Sequence, residues 1–298
     1  MPSKPSHSID FLTLHPFQKT IEKLLRASIE EFGAKTKLRD ACEYALLNGG
    51  KRFRPALVLI IAESIGMQAD ASYAALAVEF FHTASLIADD LPSMDDDDER
   101  RNKPSLHKVY GEALALLASY GLIAAGYEFL AKNAKVIQKS SLSFASQSDR
   151  IGMLALENTT YNTGLLGATG GQFLDVFPPD VSLSTIKDVI RMKTVSLFEI
   201  SFVLGWLYGS GDLKKLDLVK KAALHFGMAF QIADDIGDME QDKKNGRQIN
   251  VANLCGKTEA SQMLLYEVAE CQMVLKQLGL GKSALFSLVN DIRNPQPI

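Results

Sequence analysis

The sequence predicts an all-α fold, and three observations carry that prediction. All ten prolines lie before Ser105, at Pro178-Pro179, or in the tail at Pro295 and Pro297. Proline breaks helix interiors, so residues 105–177 and 180–294 are left as long uninterrupted runs. Those runs repeat at helical spacing: Ile186, Ile190, Lys193, Leu197 and Ile200 recur at steps of three and four, as do Ala223, Phe226, Phe230 and Ala233. Alternating Val/Ile/Thr-rich segments bounded by Asn-Gly turns, the signature of strands, are missing.

The elements follow in order. Gly49-Gly50 marks a loop, and Pro55 suits the start of a helix that ends near Gly66. A helix of small and apolar residues runs from about Ala71 to Asp90. It stops before Pro92, because the residue preceding proline resists α geometry. Further helices are expected near 107–133, 150–174, 184–208, 216–238 and 257–278, with an exposed loop at 138–149. No internal repeat or linker divides the chain, so one domain over 1–298 is expected.

Composition narrows the function classes. A hydrophobic share of 47% with 22% charged residues is globular rather than disordered. A net charge of -3 lacks the basic excess of a nucleic-acid binder. Cys42, Cys255 and Cys271 have no metal-binding spacing and read as buried free thiols of a reducing compartment. The opening MPSKPSHSID lacks an apolar signal core. The central charge-free stretch, 113–127, falls short of the roughly 20 residues that span a bilayer. A cytoplasmic protein is expected, with no nucleic-acid partner and no membrane span.

Two acidic clusters stand out. Asp89-Asp90-Leu91-Pro92-Ser93-Met94-Asp95 continues through further acids to Arg100-Arg101, and the second reads Asp234-Asp235-Ile236-Gly237-Asp238. In each, a carboxylate pair directly follows apolar residues, which a solvated acidic face does not explain. Asp234 and Asp238 share a helix face, with Gln231 one turn earlier. Adjacent carboxylates repel unless a cation neutralises them, and oxygen ligands without His or Cys suit Mg²⁺. Helix C-termini add partial negative charge.

Cations complete the set. Lys51-Arg52-Phe53-Arg54 follows the Gly-Gly loop at a helix entry, a setting that favours phosphate. Arg100-Arg101 either neutralises the acids or contacts an anion. Lys193 lies on the apolar stripe of its helix, where a lysine needs a partner or must snorkel to water. His82, two turns before Asp89, reads as a core histidine as readily as a ligand. Acid clusters, phosphate-sized cation sites and an apolar lining together fit a diphosphate with an apolar tail. No Walker loop, GxGxxG or Ser-His-Asp order competes.

These motifs resemble the trans-isoprenyl diphosphate synthases, the family of farnesyl and geranylgeranyl diphosphate synthases, in its bacterial and plant form. The resemblance runs from about Gly49 to Lys257 through GGKRFRP (49–55), DDLPSMDDDDERR (89–101), KPSLHKVYGE (103–112), GGQFLD (170–175), MKT (192–194) and FQIADDIGD (230–238). It implies a single polyprenyl synthase domain, a bundle of long antiparallel helices around a central cavity, assembled as a homodimer. It implies condensation of isopentenyl diphosphate with an allylic diphosphate.

By position, Asp89, Asp90, Asp95, Asp234, Asp235 and Asp238 would hold three Mg²⁺, with Mn²⁺ as a substitute. Arg100, Lys193 and Arg247 would contact the allylic diphosphate, and Lys51, Arg54, His82 and Arg101 the diphosphate of isopentenyl diphosphate. Thr194, Gln231, Gln172 and Asp175 would line the same cavity. The chain departs from relatives at Tyr120, where they carry Asp, at Gly237, where they carry an aliphatic residue, and in the loop Asn245-Gly246-Arg247. A class I terpene cyclase is disfavoured because its second motif mixes Asn, Ser/Thr and Glu. A non-catalytic regulatory subunit typically loses one acidic motif, and both are present here. Small residues at Ala84 and Ser85, above Phe80 and Phe81, favour a C20 over a C15 product in this family.

Overall fold

Short charged helices open the chain where the apolar periodicity is too thin to announce them. The computed structural model describes residues 12–66, 70–244 and 249–293, and these form two units: Leu14–Leu156 with Leu207–Ser210, and Glu157–Trp206 with the described residues of Gly211–Ile298. In the N-terminal unit, α1 (His15–Ser28) buries only Ile21, Leu25 and Ser28. Next comes α2 (Lys37–Leu46), capped by Thr36, whose hydroxyl accepts from the Arg39 amide at 3.2 Å. Neither helix is among the segments that the sequence pattern singles out.

The core of this unit is α3 (Phe53–Ser64) and α4 (Ser72–Asp89), each apolar around most of its circumference. Arg52 anchors the start of α3. It is 2% exposed and donates from Nε to Glu22 at 2.6 Å, from Nη1 to Glu79 at 2.5 Å and from Nη2 to the Leu46 carbonyl at 2.6 Å. The short helix α5 (Leu106–Tyr110) turns into α6 (Glu112–Gln138) at Gly111, whose φ of 82° favours glycine.

One face of α6 packs on α4. Ser119 Oγ donates to the Ala84 carbonyl at 2.9 Å, and the Asn133 amide holds the first turn of α4 through the Ala74 N–H at 2.8 Å. With 27 residues, α6 is long and apolar enough to cross a membrane by length and composition. It outruns the charge-free stretch on which the contrary expectation rested. Among the described residues, the only strands are Glu99–Arg100 and Lys103–Pro104, an antiparallel hairpin that the sequence pattern does not announce.

Helix α7 (Ser148–Thr163) begins in this unit and ends in the other. The expected helix over 150–174 is broken between Thr163 and Ala168. A Cβ on Gly167 would lie 2.1 Å from the Asn162 carbonyl oxygen, so glycine permits the turn. Then α8 (Ala168–Val176) and α9 (Leu183–Val189) lead into a π-helical turn, Ile190–Val195, and α10 (Ser196–Tyr208). The expected helix over 184–208 is thus continuous but carries a wide turn.

In α11 (Leu216–Lys244) the chain runs past the expected end at 238, since Gly237 does not stop it. Helices α12 (Val251–Cys255), α13 (Lys257–Leu278) and α14 (Ala284–Arg293) complete the unit, with α13 packed along α11. Phe198, Phe202, Phe226 and Phe230 form an aromatic core. All three cysteines are free; Cys42 and Cys271 are buried, but Cys255 is only half-buried.

Candidate functional site

In the N-terminal unit, α4 delivers Asp89 and Asp90 at its last turn. Asp89 is half-buried and Asp90 buried, while Asp95 is exposed on the loop that follows. That loop folds back on the helix end, with the Asp95 N–H donating to the Asp89 carbonyl at 2.9 Å. Arg100 returns to Asp90, donating through Nε at 2.9 Å and through Nη2, which also reaches Asp97 at 3.1 Å. Burial pushes the Asp90 carboxyl above its ordinary value, and the Arg100 hydrogen bond opposes that rise.

The hairpin aims the next cation. Its two-residue loop, Arg101 at φ 57° and Asn102 at φ 62°, is left-handed at both positions, as a tight two-residue turn demands. A non-glycine residue held there stores strain, and Arg101 Nη1 donates to the Gly49 carbonyl. A Cβ on Gly50 would fall 2.4 Å from the Arg101 guanidinium carbon, so the second glycine of the loop leaves room for this side chain.

Around them, Lys51 is exposed and Arg54 half-buried. Burial holds the His82 imidazole well below its usual range, and the nearby Arg54, Arg101, Arg100 and Arg52 reinforce that effect. His82 Nδ1 has no hydrogen-bond partner among the described residues. Of these guanidiniums, Arg52 and Arg100 are each paired with two carboxylates, whereas Arg101 donates to a neutral carbonyl, so its charge is available to an anion.

In the C-terminal unit, the glycines of the 170–175 segment do the positioning. A Cβ on Gly171 would meet the Lys193 backbone nitrogen at 2.3 Å, so glycine lets α8 lie directly on the π-helical turn. Asp175, one turn later, receives Lys193 Nζ at 2.5 Å. This answers the question that Lys193 poses on an apolar stripe: it is about a quarter exposed and paired. Thr194 donates to Gln231 Oε1 at 3.0 Å, and Gln231 Nε2 donates to Asp235 at 2.9 Å. Both Nε2 and Oε1 of Gln172 are buried without hydrogen-bond partners among the described residues.

The second acidic motif divides by exposure. Asp234 is exposed, Asp238 half-buried and Asp235 buried. Asp235 Oδ2 accepts from the Val251 N–H at 2.8 Å, and Asn250 bridges the Asp235 carbonyl at 3.1 Å and Asp242 at 2.9 Å. Burial pushes the Asp235 carboxyl up to about 7, against the Gln231 and Val251 hydrogen bonds and with help from Asp234 and Asp242.

Several placements differ from what the sequence suggests. Tyr120 is 58% exposed on the outer face of α6, and Ser119 rather than Tyr120 meets Ala84. Phe80 packs edge-on against Phe32 and against Phe129 of α6, fully buried in the core, while Phe81 lies over Gly126 and edge-on to Tyr127 at 5.0 Å. Arg247 lies outside the described residues. Arg52, Asp97 and Asn250 were missed. Nothing local distinguishes Arg52 from Lys51 and Arg54, since its partners are 30 and 27 residues away.

A family model described as polyprenyl synthetase matches residues 35–272. The chain is 32% identical over 292 residues to a trans-prenyltransferase of African swine fever virus, covering 96% of this chain and 84% of the relative. It is 33% identical to large subunit 1 of the chloroplastic heterodimeric geranylgeranyl pyrophosphate synthase of Arabidopsis thaliana, covering 96% and 72%. Among solved structures, a geranyltransferase from Legionella pneumophila superposes with a TM-score of 0.80 at 27% identity, over 96% of this chain and 97% of that one. With a family model spanning most of its length and relatives above 30% identity along nearly all of it, the chain belongs to the polyprenyl synthetase family.

Proposed function

We propose that the chain is a Mg²⁺-dependent trans-prenyltransferase that joins isopentenyl diphosphate to dimethylallyl, geranyl or farnesyl diphosphate. The observation that carries this reading is a carboxylate cluster in each unit, at the last turn of α4 in one and within α11 in the other, with cations in the same unit. Asp89 and Asp90 stand with Arg100 and Arg101; Asp234, Asp235 and Asp238 share their unit with Lys193. The donors are all oxygens, and Asp89, Asp234 and Asp238 are exposed or half-buried, which suits a hard dication. Bound there, Mg²⁺ would neutralise charge developing on the leaving diphosphate.

The chain's own groups would do the rest. Arg100 and Lys193 would hold the allylic diphosphate while its C1–O bond breaks. Lys51, Arg54, Arg101 and the neutral His82 would hold isopentenyl diphosphate, whose alkene forms the new carbon–carbon bond. A proton then leaves, taken up by the departing diphosphate, so no side-chain nucleophile is required. Asp235, with both carboxylate oxygens already hydrogen bonded, fits the role of fixing α11 against α12 alongside its neighbours' metal contacts.

For the product we favour C20 over C15. Ala84 and Ser85 are small, and Phe81, one turn below Ser85, closes against α6. One helical turn, about 5.4 Å, matches roughly one extended isoprene unit. A homodimer is supported by Leu116, Leu117, Tyr120 and Ile123, which leave one face of α6 apolar and exposed. The deciding experiment incubates the pure protein with Mg²⁺, labelled isopentenyl diphosphate and each allylic primer, and chromatographs the products. Absence of chain growth with every primer would overturn the reading.

A further inference from the structure

We propose that Asp96, Asp98 and His107 form a binding site for a transition-metal dication of the Zn²⁺ type, distinct from the set Asp89, Asp90 and Asp95. One ligand atom from each of the three side chains lies within 4.8 Å of the others. Ligands held tetrahedrally by one Zn²⁺ at about 2.0–2.2 Å stand roughly 3.3–3.6 Å apart. The group therefore closes by up to about 1.5 Å, a shift within reach of the two exposed aspartate side chains.

Proximity of two exposed carboxylates would carry little by itself. The imidazole changes that. His107 is only 7% exposed, and neither Nδ1 nor Nε2 has a hydrogen-bond partner among the described residues. Buried imidazoles ordinarily find a partner on at least one nitrogen, and this one presents a nitrogen to the two carboxylates instead.

The backbone already holds the three together. The Ser105 N–H donates to the Asp98 carbonyl at 2.9 Å, and the Ser105 hydroxyl to the Asp97 carbonyl at 2.5 Å. Those bonds tie the end of the acidic run to the residue just before α5, which carries His107 on its first turn. Among the described residues, the competing ion pair is Lys108 Nζ, 2.6 Å from Asp98 Oδ1. Both partners are substantially exposed, so a dication would displace this weak surface pair.

The donor set selects the metal. Mg²⁺ prefers six oxygens in near-ideal octahedral geometry and keeps most of its water. An imidazole with two carboxylates and room for water suits Zn²⁺, Co²⁺ or Mn²⁺ better. A metal here would pin the acidic loop to α5, on the opposite side of Asp95 in sequence from Asp89 and Asp90.

The full-length protein, stripped with chelator and returned to excess Mg²⁺, would be titrated with Zn²⁺ by calorimetry. Co²⁺ absorbance in the visible would run in parallel as a report on the imidazole ligand. One Zn²⁺ per chain should bind despite the Mg²⁺. His107→Asn should abolish the Co²⁺ band. Because a buried change can impair folding, Asp96→Asn is the deciding variant. Asp96 is exposed and left-handed at φ 50°, a conformation asparagine tolerates. It should weaken Zn²⁺ at least about tenfold, while Asp89→Asn leaves Zn²⁺ affinity unchanged. Unaltered Zn²⁺ affinity in Asp96→Asn, or its loss in Asp89→Asn, would overturn the proposal, as would the absence of Zn²⁺ binding in the unmodified protein.

Discussion

Asp89 and Asp234 are the acidic residues whose roles separate most cleanly from structural ones, because each directly follows apolar residues and neither is as deeply buried as its neighbour. Asp89→Ala and Asp234→Ala should each lower turnover by orders of magnitude in steady-state assays at saturating Mg²⁺, and EDTA should abolish it. Near-normal turnover in either variant would remove the metal assignment. On the proposed function, the cations divide by substrate. Arg101→Ala should mainly raise KM for isopentenyl diphosphate, and Lys193→Ala should mainly weaken use of the allylic partner. Each lost cationic contact should cost about 2 kcal/mol; equal effects on both substrates would show that the two diphosphate sites are not separated this way. The carboxylates were legible because apolar residues run directly into them. Arg52 was not, because what makes it structural is a pair of acids on other helices.

Helices joined by polar contacts set the next scale. Asp235 clamps α11 to the start of α12 through the Val251 N–H. Its carboxyl stands at about 7 against an ordinary 3.8, so the folded chain keeps a proton that the unfolded chain releases. Stability of the metal-free protein should therefore fall as pH rises from about 4 to about 7. Asp235→Asn should flatten that slope in urea unfolding followed across the same range in EDTA; an unchanged slope would place the pH dependence elsewhere. On α4, Phe81→Ala should lengthen the product and Ala84→Tyr should shorten it, read by chromatography of the chain ends. An unmodified enzyme that stops at C15, with the same product in Ala84→Tyr, would sink the account of a floor at Phe81. Helix existence was legible from proline placement and period. The break at Gly164 to Gly167 and the wide turn at Ile190–Val195 were not, because both depend on how closely α8 can approach its neighbour.

For the molecule as a whole, the proposed homodimer is tested at the exposed face of α6. Leu116, Leu117, Tyr120 and Ile123 lie at helical spacing and are between 37% and 58% exposed, more contiguous apolar surface than a monomer comfortably leaves wet. Leu117→Glu combined with Ile123→Glu should convert a dimer to monomer in size-exclusion chromatography with light scattering, without loss of helical circular dichroism. A single unchanged mass for both forms would show that the dimer, if any, uses another face. Tyr120 belongs to this stripe, so the tyrosine that departs from the family pattern lies on an exposed face. That was not legible in the sequence, since a residue's helix face is known only once the packed face is.

The wide turn at Ile190–Val195 also has a consequence for chain length. A π-helical turn accommodates one residue more than an α-helix of the same height requires. Deleting one residue there would let α9 and α10 merge into a regular helix with both flanks near their present phase, because the wide turn is what absorbs the extra residue. Ile186 and Val189 would keep the core positions they now fill. The residue lost would come from the segment that carries Lys193 and Thr194, and with it their reach to Asp175 and Gln231. A chain one residue shorter at this point would keep its fold, and would be one that has given up the pairing of Lys193 with Asp175.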